Sequence, residues 1–200
     1  LNVEKIGFLK NLIMLIWKGS NGEVSKTEDR LIEQVITEYY EAYFVGFKGY
    51  SASQRDALHK KFLIETATQG SATDTNEEVE ARINKRIKEM EDRRKALMVK
   101  ELSFNSFYEY STQRIPYICN ENKIAGIDIS TYNYMLMDFY RGGSHERTLN
   151  ENLDSTLFDE TFIVFEIDTI KDDPLLFPLV TLIIMDVFIQ KMRIKKNRKV

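Results

Sequence analysis

The run Thr161-Phe162-Ile163-Val164-Phe165-Glu166-Ile167-Asp168 is β-branched and aromatic and has no helical periodicity, in a chain whose other apolar residues recur at helical spacing. Such a run is expected as a central strand covered on both faces. Asp172 or Asp173 then opens a helix with Pro174 near its first turn. That helix should extend to about Arg193, with a kink or restart at Pro178. One apolar strand followed by one apolar helix is half of a βαβ unit, and a lone strand cannot pair its own amides and carbonyls. The rest of the sheet is expected in a strand not recognisable here or outside these residues.

Upstream of Phe158 the sequence reads as helix. Ile6, Leu9, Leu12, Ile13, Leu15, Ile16 and Trp17 cover most sides of a first helix that Gly19, Asn21 and Gly22 end. Ser25 and Glu28 form a capping box, each able to satisfy an amide of the first turn. It opens a second helix to about Phe47 with Leu31, Val35, Ile36, Tyr39, Tyr43 and Phe44 on its core face. After a break at 46–53, Ser53 can cap a short helix carrying Leu58, Phe62, Leu63 and Ile64. The polar tract 66–76, centred on Gly70, is expected as a mobile loop. A second capping box, Thr75 and Glu78, starts a charged helix whose narrow stripe of Val79, Ile83, Ile87, Met90, Leu97 and Met98 suits a surface helix or one arm of a hairpin. Ser103 should cap a helix that stops before Pro116, leaving 114–130 as loop. Asp128 or Ser130 then starts a helix running through Tyr134 to Tyr140, stopped by Gly142-Gly143. With 43% hydrophobic residues and only 3 Pro and 9 Gly, disorder, collagen-like repeats and a turn-dense β-sandwich are excluded.

Charge narrows the function classes. A formal net charge of -3 gives no global basic footprint, so any nucleic-acid site must be local. Lys191, Arg193, Lys195, Lys196, Arg198 and Lys199 put six positive charges in the last ten residues, first explained as a cationic helix C-terminus. A single cysteine, Cys119, with His59 and His145 falls short of a zinc set and fits a reducing compartment. The longest apolar stretch, Leu175 to Ile189, is shorter than the ~20 residues of a membrane span. The opening Leu1-Asn2-Val3-Glu4 reads as the start of an excised segment and not as a signal peptide.

No reactive constellation emerges. A phosphate cradle needs closely spaced glycines, a Lys and a hydroxyl residue, and GxxxxGK followed by Ser or Thr does not occur. No catalytic, cofactor-binding or metal-binding residue is therefore assigned. Three weak candidates for ligand or interface contact remain. Arg141 stands beside Gly142-Gly143, which reads first as a helix stop. His145 follows at a helix end, where a structural hydrogen bond is the simpler role. Asp168 lies at the carboxyl end of the expected strand, the end at which open α/β sheets bind ligands. The aromatics Tyr39, Tyr40, Tyr43, Phe44, Phe47 and Tyr50 could stack on bases, but helical spacing assigns most of them to core.

The stretch Phe8 to Trp17, the run Phe139-Tyr140-Arg141-Gly142-Gly143 with Leu149-Asn150, and above all Leu157 to Asp172 resemble the TraG family of Bacteroides-type conjugative transposons, within the conjugation and type IV secretion ATPases. The resemblance spans most of the chain and is most specific over 157–193. It implies a RecA-like motor with its nucleotide-binding loop upstream of these residues and its Walker B strand downstream. ATP and magnesium would then belong to the parent and to no position here. On that footing the expected fold is mainly α: a helix leading in over 1–19, a helical insertion subdomain over 20–154, and over 155–200 one central strand and a following helix of an incomplete RecA-like α/β layer. The implied function is a segment of an ATPase that energises DNA transfer, cytoplasmic and peripheral to the inner membrane. Secretion-channel proteins would be its partners and the parent a homo-oligomer, with direct DNA contact left open. The alternative is a non-catalytic helical protein-interaction module that docks through the charged helix 77–101.

Overall fold

The computed structural model describes residues 3–69, 75–151, 160 and 162–197. Among them are eight helices and no strand: α1 (Val3–Lys18), α2 (Lys26–Phe44), α3 (Ala52–Gln69), α4 (Asn76–Ala96), α5 (Phe104–Glu121), α6 (Ile129–Met137), α7 (Glu146–Asn150) and α8 (Leu176–Asn197). No helix of the described residues is long and apolar enough to cross a membrane. The chain divides into two compact units, Leu1–Tyr39 with Leu102–Val200, and Tyr40–Glu101.

In the first unit α1 packs on α6 and α8, while α5 packs on α6 and α7. The core gathers Leu12, Ile13, Ile16 and Trp17 of α1, Leu31, Ile32, Val35 and Ile36 of α2, Phe107, Ile115 and Ile118 of α5, Tyr132 and Leu136 of α6, and Leu179 and Val187 of α8. Each large side chain so buried contributes about 1.5–3 kcal/mol. Trp17 meets Tyr132 edge to face at 5.2 Å, a geometry in which the positive ring edge points at the negative face. The Ser25 and Glu28 box forms as expected, with Ser25 N donating to Glu28 Oε2 at 2.9 Å and Glu28 N to Ser25 Oγ at 3.2 Å. Gly19 ends α1 at φ +72, a left-handed conformation that glycine adopts without a Cβ penalty.

The structure corrects the reading of α5, which continues to Glu121 through Pro116. The proline removes one i to i−4 bond, yet Ile115, Ile118 and Cys119 flank it in the core, so their burial offsets the loss. The expected loop thus shrinks to 122–128, where Lys123 and Gly126 take positive φ. Asp128 caps α6, accepting from Thr131 N at 2.9 Å. That helix stops at Met137, short of the expected Tyr140. Gly142, at φ +81, lies in the turn that leads to the short α7.

The expected strand is the second correction. Residues 162–167 make no ladder, and none of the peptide groups of 162–166 is hydrogen-bonded among the described residues. Their side chains still alternate as in an extended chain: Phe162, Val164 and Glu166 are exposed, Ile163, Phe165 and Ile167 half-buried. Phe165 rests 6.3 Å from Phe188 of α8, so one face is packed while the backbone lacks a neighbour to pair with. Thr161 and 152–159, at the start of that reading, lie outside the described residues, as do 70–74 of the expected mobile loop and 198–200 of the basic tail.

The second unit holds the end of α2 with α3 and α4, which pack on each other. Its core is small: Phe62, Ile83, Ile87, Met90 and Val99. Arg86 lays its guanidinium 3.9 Å from the centre of the Phe62 ring, where the π face attracts the cation. Thr75 caps α4 through the expected box with Glu78. At α3 the box is Ser51 with Gln54 and not Ser53. Tyr43 and Phe44, read as core, are exposed at 39% and 65%, as are Leu63, Ile64 and Met98. The apolar supply of this unit exceeds what two packed helices can cover.

Candidate functional site

The cleft nearest the sequence-derived candidates opens in the first unit, between the end of α1 and the start of α8. Lys18, Gly19, Ser20, Asn21, Met135 and the stretch from Lys171 to Leu175, with Phe177 and Pro178, line about 570 Å³. Two local rules build it. On one side Gly19 turns the chain out of α1, and Ser20 Oγ donates to the Pro174 carbonyl at 3.2 Å. On the other, Asp173 caps α8, its Oδ1 accepting from Leu175 N at 2.8 Å and Leu176 N at 2.7 Å. Pro174 follows the cap, where a missing N–H costs no helical bond, and Pro178 gives up one bond a turn later, yet Phe177 N and Leu179 N on either side donate to the Asp173 and Leu175 carbonyls at 3.2 Å, so α8 runs on without the expected restart.

Electrostatics fixes the polar groups. The Leu176 and Leu175 amides, with the nearby His145, hold the Asp173 carboxyl below its ordinary range. Lys18 donates to Glu28 at 2.6 Å and sits 4.4 Å from the Trp17 ring centre. Burial pushes Glu28 up, but the hydrogen bonds from Lys18 and Ser25 outweigh it and leave the carboxyl below its ordinary value. Lys18 and Asp173 therefore serve the fold before any ligand.

Of the sequence-derived candidates, Asp168 lies in the turn before the cleft and pairs with Lys171 of its wall at 3.5 Å. His145 precedes α7, its ring 5.4 Å from Phe139 and its backbone N–H donating to the Asp138 carbonyl at 2.8 Å. It reaches the cleft only through its field on Asp173. Arg141 is exposed in the turn after α6 and lines no part of the cleft. Sequence reasoning named Asp173 as a helix cap and missed Lys18, Ser20 and Lys171, which meet only because residues 154 positions apart are joined.

Three turns bring backbone amides together as a phosphate cradle would require. Gly142 N donates to Glu146 Oε2 at 2.8 Å and Gly143 N to the Tyr140 carbonyl at 2.8 Å. Gly19 N donates to the Leu15 carbonyl, and the first amides of α8 to Asp173. With their amides committed and a carboxylate standing at two of the three, these turns do not fit a nucleotide phosphate. Among the described residues no group of three His, Cys, Asp or Glu could hold a metal ion.

A separate pocket of about 450 Å³ lies between α3 and α4 in the second unit. Glu91 in its wall, 8% exposed, accepts from Arg55 at 2.6 Å and from Tyr50 N at 3.1 Å. This buried carboxylate pins the 46–51 segment to α4.

No curated protein and no solved structure matches the chain. The family model of the TraG P-loop domain matches residues 44–200, which takes in the second unit from Phe44 on, the α8 side of the cleft and all of α8. The chain belongs to the TraG P-loop domain family.

Proposed function

We propose that this chain is a segment of a conjugative-transfer ATPase of the type IV secretion class, and that its parent uses ATP hydrolysis to energise DNA transfer. The family match over 44–200 carries the proposal. The extended, apolar 162–167 followed by α8 supports a finer reading, in which this part supplies one strand and one helix to a RecA-like layer whose other strands lie elsewhere in the parent. Residues 20–154 then form the helical insertion, and 1–19 the helix that leads in.

On this reading ATP and magnesium are held by the parent's nucleotide loop and Walker B strand, and the turns here take no part in binding them. Phosphoryl transfer demands positioning and charge neutralisation by those elements. The segment's part is mechanical: α8 and 162–167 couple the motor to the helical insertion. The assembly is a homo-oligomer on the cytoplasmic face of the inner membrane, touching secretion-channel proteins.

A mating assay tests this. Donor cells carrying Phe165→Asp in the parent should transfer DNA at least about a hundredfold less often than wild type, because a charge replaces the ring that packs on α8. Unchanged transfer at equal protein level would contradict the proposal.

A further inference from the structure

We infer that Asn21-Gly22 is a modification site, at which the chain deamidates itself and converts an amide in the wall of the cleft to a carboxylate. The inference stands on this turn and not on the assignment to a transfer motor. The chemistry needs an asparagine amide free to move, a following backbone N–H free to ionise and turn on it, and no side chain to block the approach. Asn21 alone among the asparagines is followed by glycine, which has no Cβ. Both residues are exposed and lie beyond the end of α1 and before α2. The Asn21 side chain makes no hydrogen bond among the described residues, and Gly22 N reaches the Gly19 carbonyl only at 3.5 Å, longer than an ordinary bond of this kind. A Cβ at position 22 would strike the Lys18 carbonyl oxygen, so the way α1 ends demands glycine there and with it the unhindered amide. Asn105-Ser106, which has the next smallest follower, is restrained: Ser106 N donates to Ser103 Oγ at 3.1 Å in the first turn of α5, and Asn105 Oδ1 is buried.

The reaction takes only the chain and water. Gly22 N gives its proton to solvent and attacks Asn21 Cγ. A new C–N bond forms, the bond from Cγ to the amide nitrogen breaks, and ammonia leaves after taking a proton from solvent. Water then opens the cyclic imide at either carbonyl. Opening at Cγ restores the ordinary backbone with aspartate, and opening at the main-chain carbonyl leaves isoaspartate, whose backbone runs through Cγ. One water is consumed, one ammonia is released, and nothing is oxidised or reduced. Either product puts an anion in a wall that Lys18 and Lys171 also line. Isoaspartate adds a carbon to the backbone beside Ser20, whose hydroxyl donates to the Pro174 carbonyl at 3.2 Å.

Peptide mapping by mass spectrometry tests this on the 200-residue chain held in mildly alkaline buffer, folded or unfolded in urea, with methylation by a protein isoaspartyl methyltransferase as a second readout. In the folded chain Asn21 should deamidate at least about tenfold faster than Asn105 or any other asparagine. Its rate should lie within about tenfold of its own rate in urea, because the turn does not hold it, and should rise with pH. Asn105 should begin to react in urea, where the α5 turn no longer restrains it. Asn21→Gln sets the side-chain carbonyl one methylene further from Gly22 N and should remove most of the methyl acceptance of the folded chain. Three outcomes would overturn the inference: Asn21 intact in the folded chain while it reacts in urea, deamidation no faster at Asn21 than elsewhere, or methyl acceptance unchanged in Asn21→Gln.

Discussion

Arg114 of α5 grips Glu38 of α2 at two points, Nε to Oε2 at 2.5 Å and Nη2 to Oε1 at 3.2 Å, with the two side chains only 6% and 12% exposed. Burial alone would lower the guanidinium pKa. The hydrogen bonds and charge of Glu38 outweigh it and hold Arg114 above its ordinary value. The pair joins α2 to α5 within the first unit and answers the desolvation of each partner with the other.

Removing one partner therefore costs more than the pair is worth. Glu38→Leu leaves a buried guanidinium without its carboxylate and should destabilise the chain by about 3–5 kcal/mol. Glu38→Leu with Arg114→Met should recover much of that loss. Urea titration of the three variants checks it. Equal losses in single and double variants would show that packing, and not the uncompensated charge, sets the cost.

Glu28 predicts an acid limb. Its carboxyl sits below the ordinary value when folded, so the unfolded state binds more protons as pH falls from about 4.5. Its contribution is fully present above the unfolded value and is lost as pH falls through the folded one. Thermal melts between pH 6 and pH 3 should show a shallower acid decline in Glu28→Gln than in wild type. The variant should also be less stable at pH 6, where Lys18 loses the carboxylate it hydrogen-bonds at 2.6 Å.

Two glycines should respond with opposite signs. A Cβ at Gly143 would stand 2.3 Å from the Asp138 carbonyl oxygen and 2.5 Å from that of Met137, both backbone atoms that cannot step aside. Gly143→Ala should lose more than about 1 kcal/mol. Gly7 lies inside α1 with nothing within 4 Å of its Cβ position. Gly7→Ala should gain about 0.5–1 kcal/mol from helix propensity. Denaturant midpoints measured side by side decide both.

Two helix starts were legible because a capping box is written in four adjacent residues, and Ser25 with Glu28 and Thr75 with Glu78 both close as hydrogen bonds; Ser103 was legible as a cap but its partner Ser106 was not, and at α3 the box closes at Ser51 with Gln54 instead of Ser53. Pro116 was misread because its cost is local while the burial of Ile115 and Ile118 that offsets it is tertiary. Tyr43 and Phe44 carry helical spacing like Tyr39, but the last turns of α2 belong to the smaller second unit, which leaves them uncovered. Residues 162–167 have a strand's composition, and composition cannot supply the neighbour that a strand requires. The cleft was legible on one side only. Asp173 announces itself as a cap, whereas Ser20 and Lys18 reach it through a contact spanning 154 positions.

The central claim is that this chain is part of a nucleotide-driven transfer motor, and steady-state ATP hydrolysis tests it most directly. The parent protein, containing these 200 residues together with a nucleotide loop and a Walker B strand, should hydrolyse magnesium-ATP. The 200-residue chain alone should show neither turnover nor calorimetric binding at micromolar concentration, because its glycine-rich turns and the first amides of α8 are already committed. A folded parent that is inert towards ATP, alone and with DNA and its partner proteins, would contradict the account, as would tight ATP binding by the 200-residue chain.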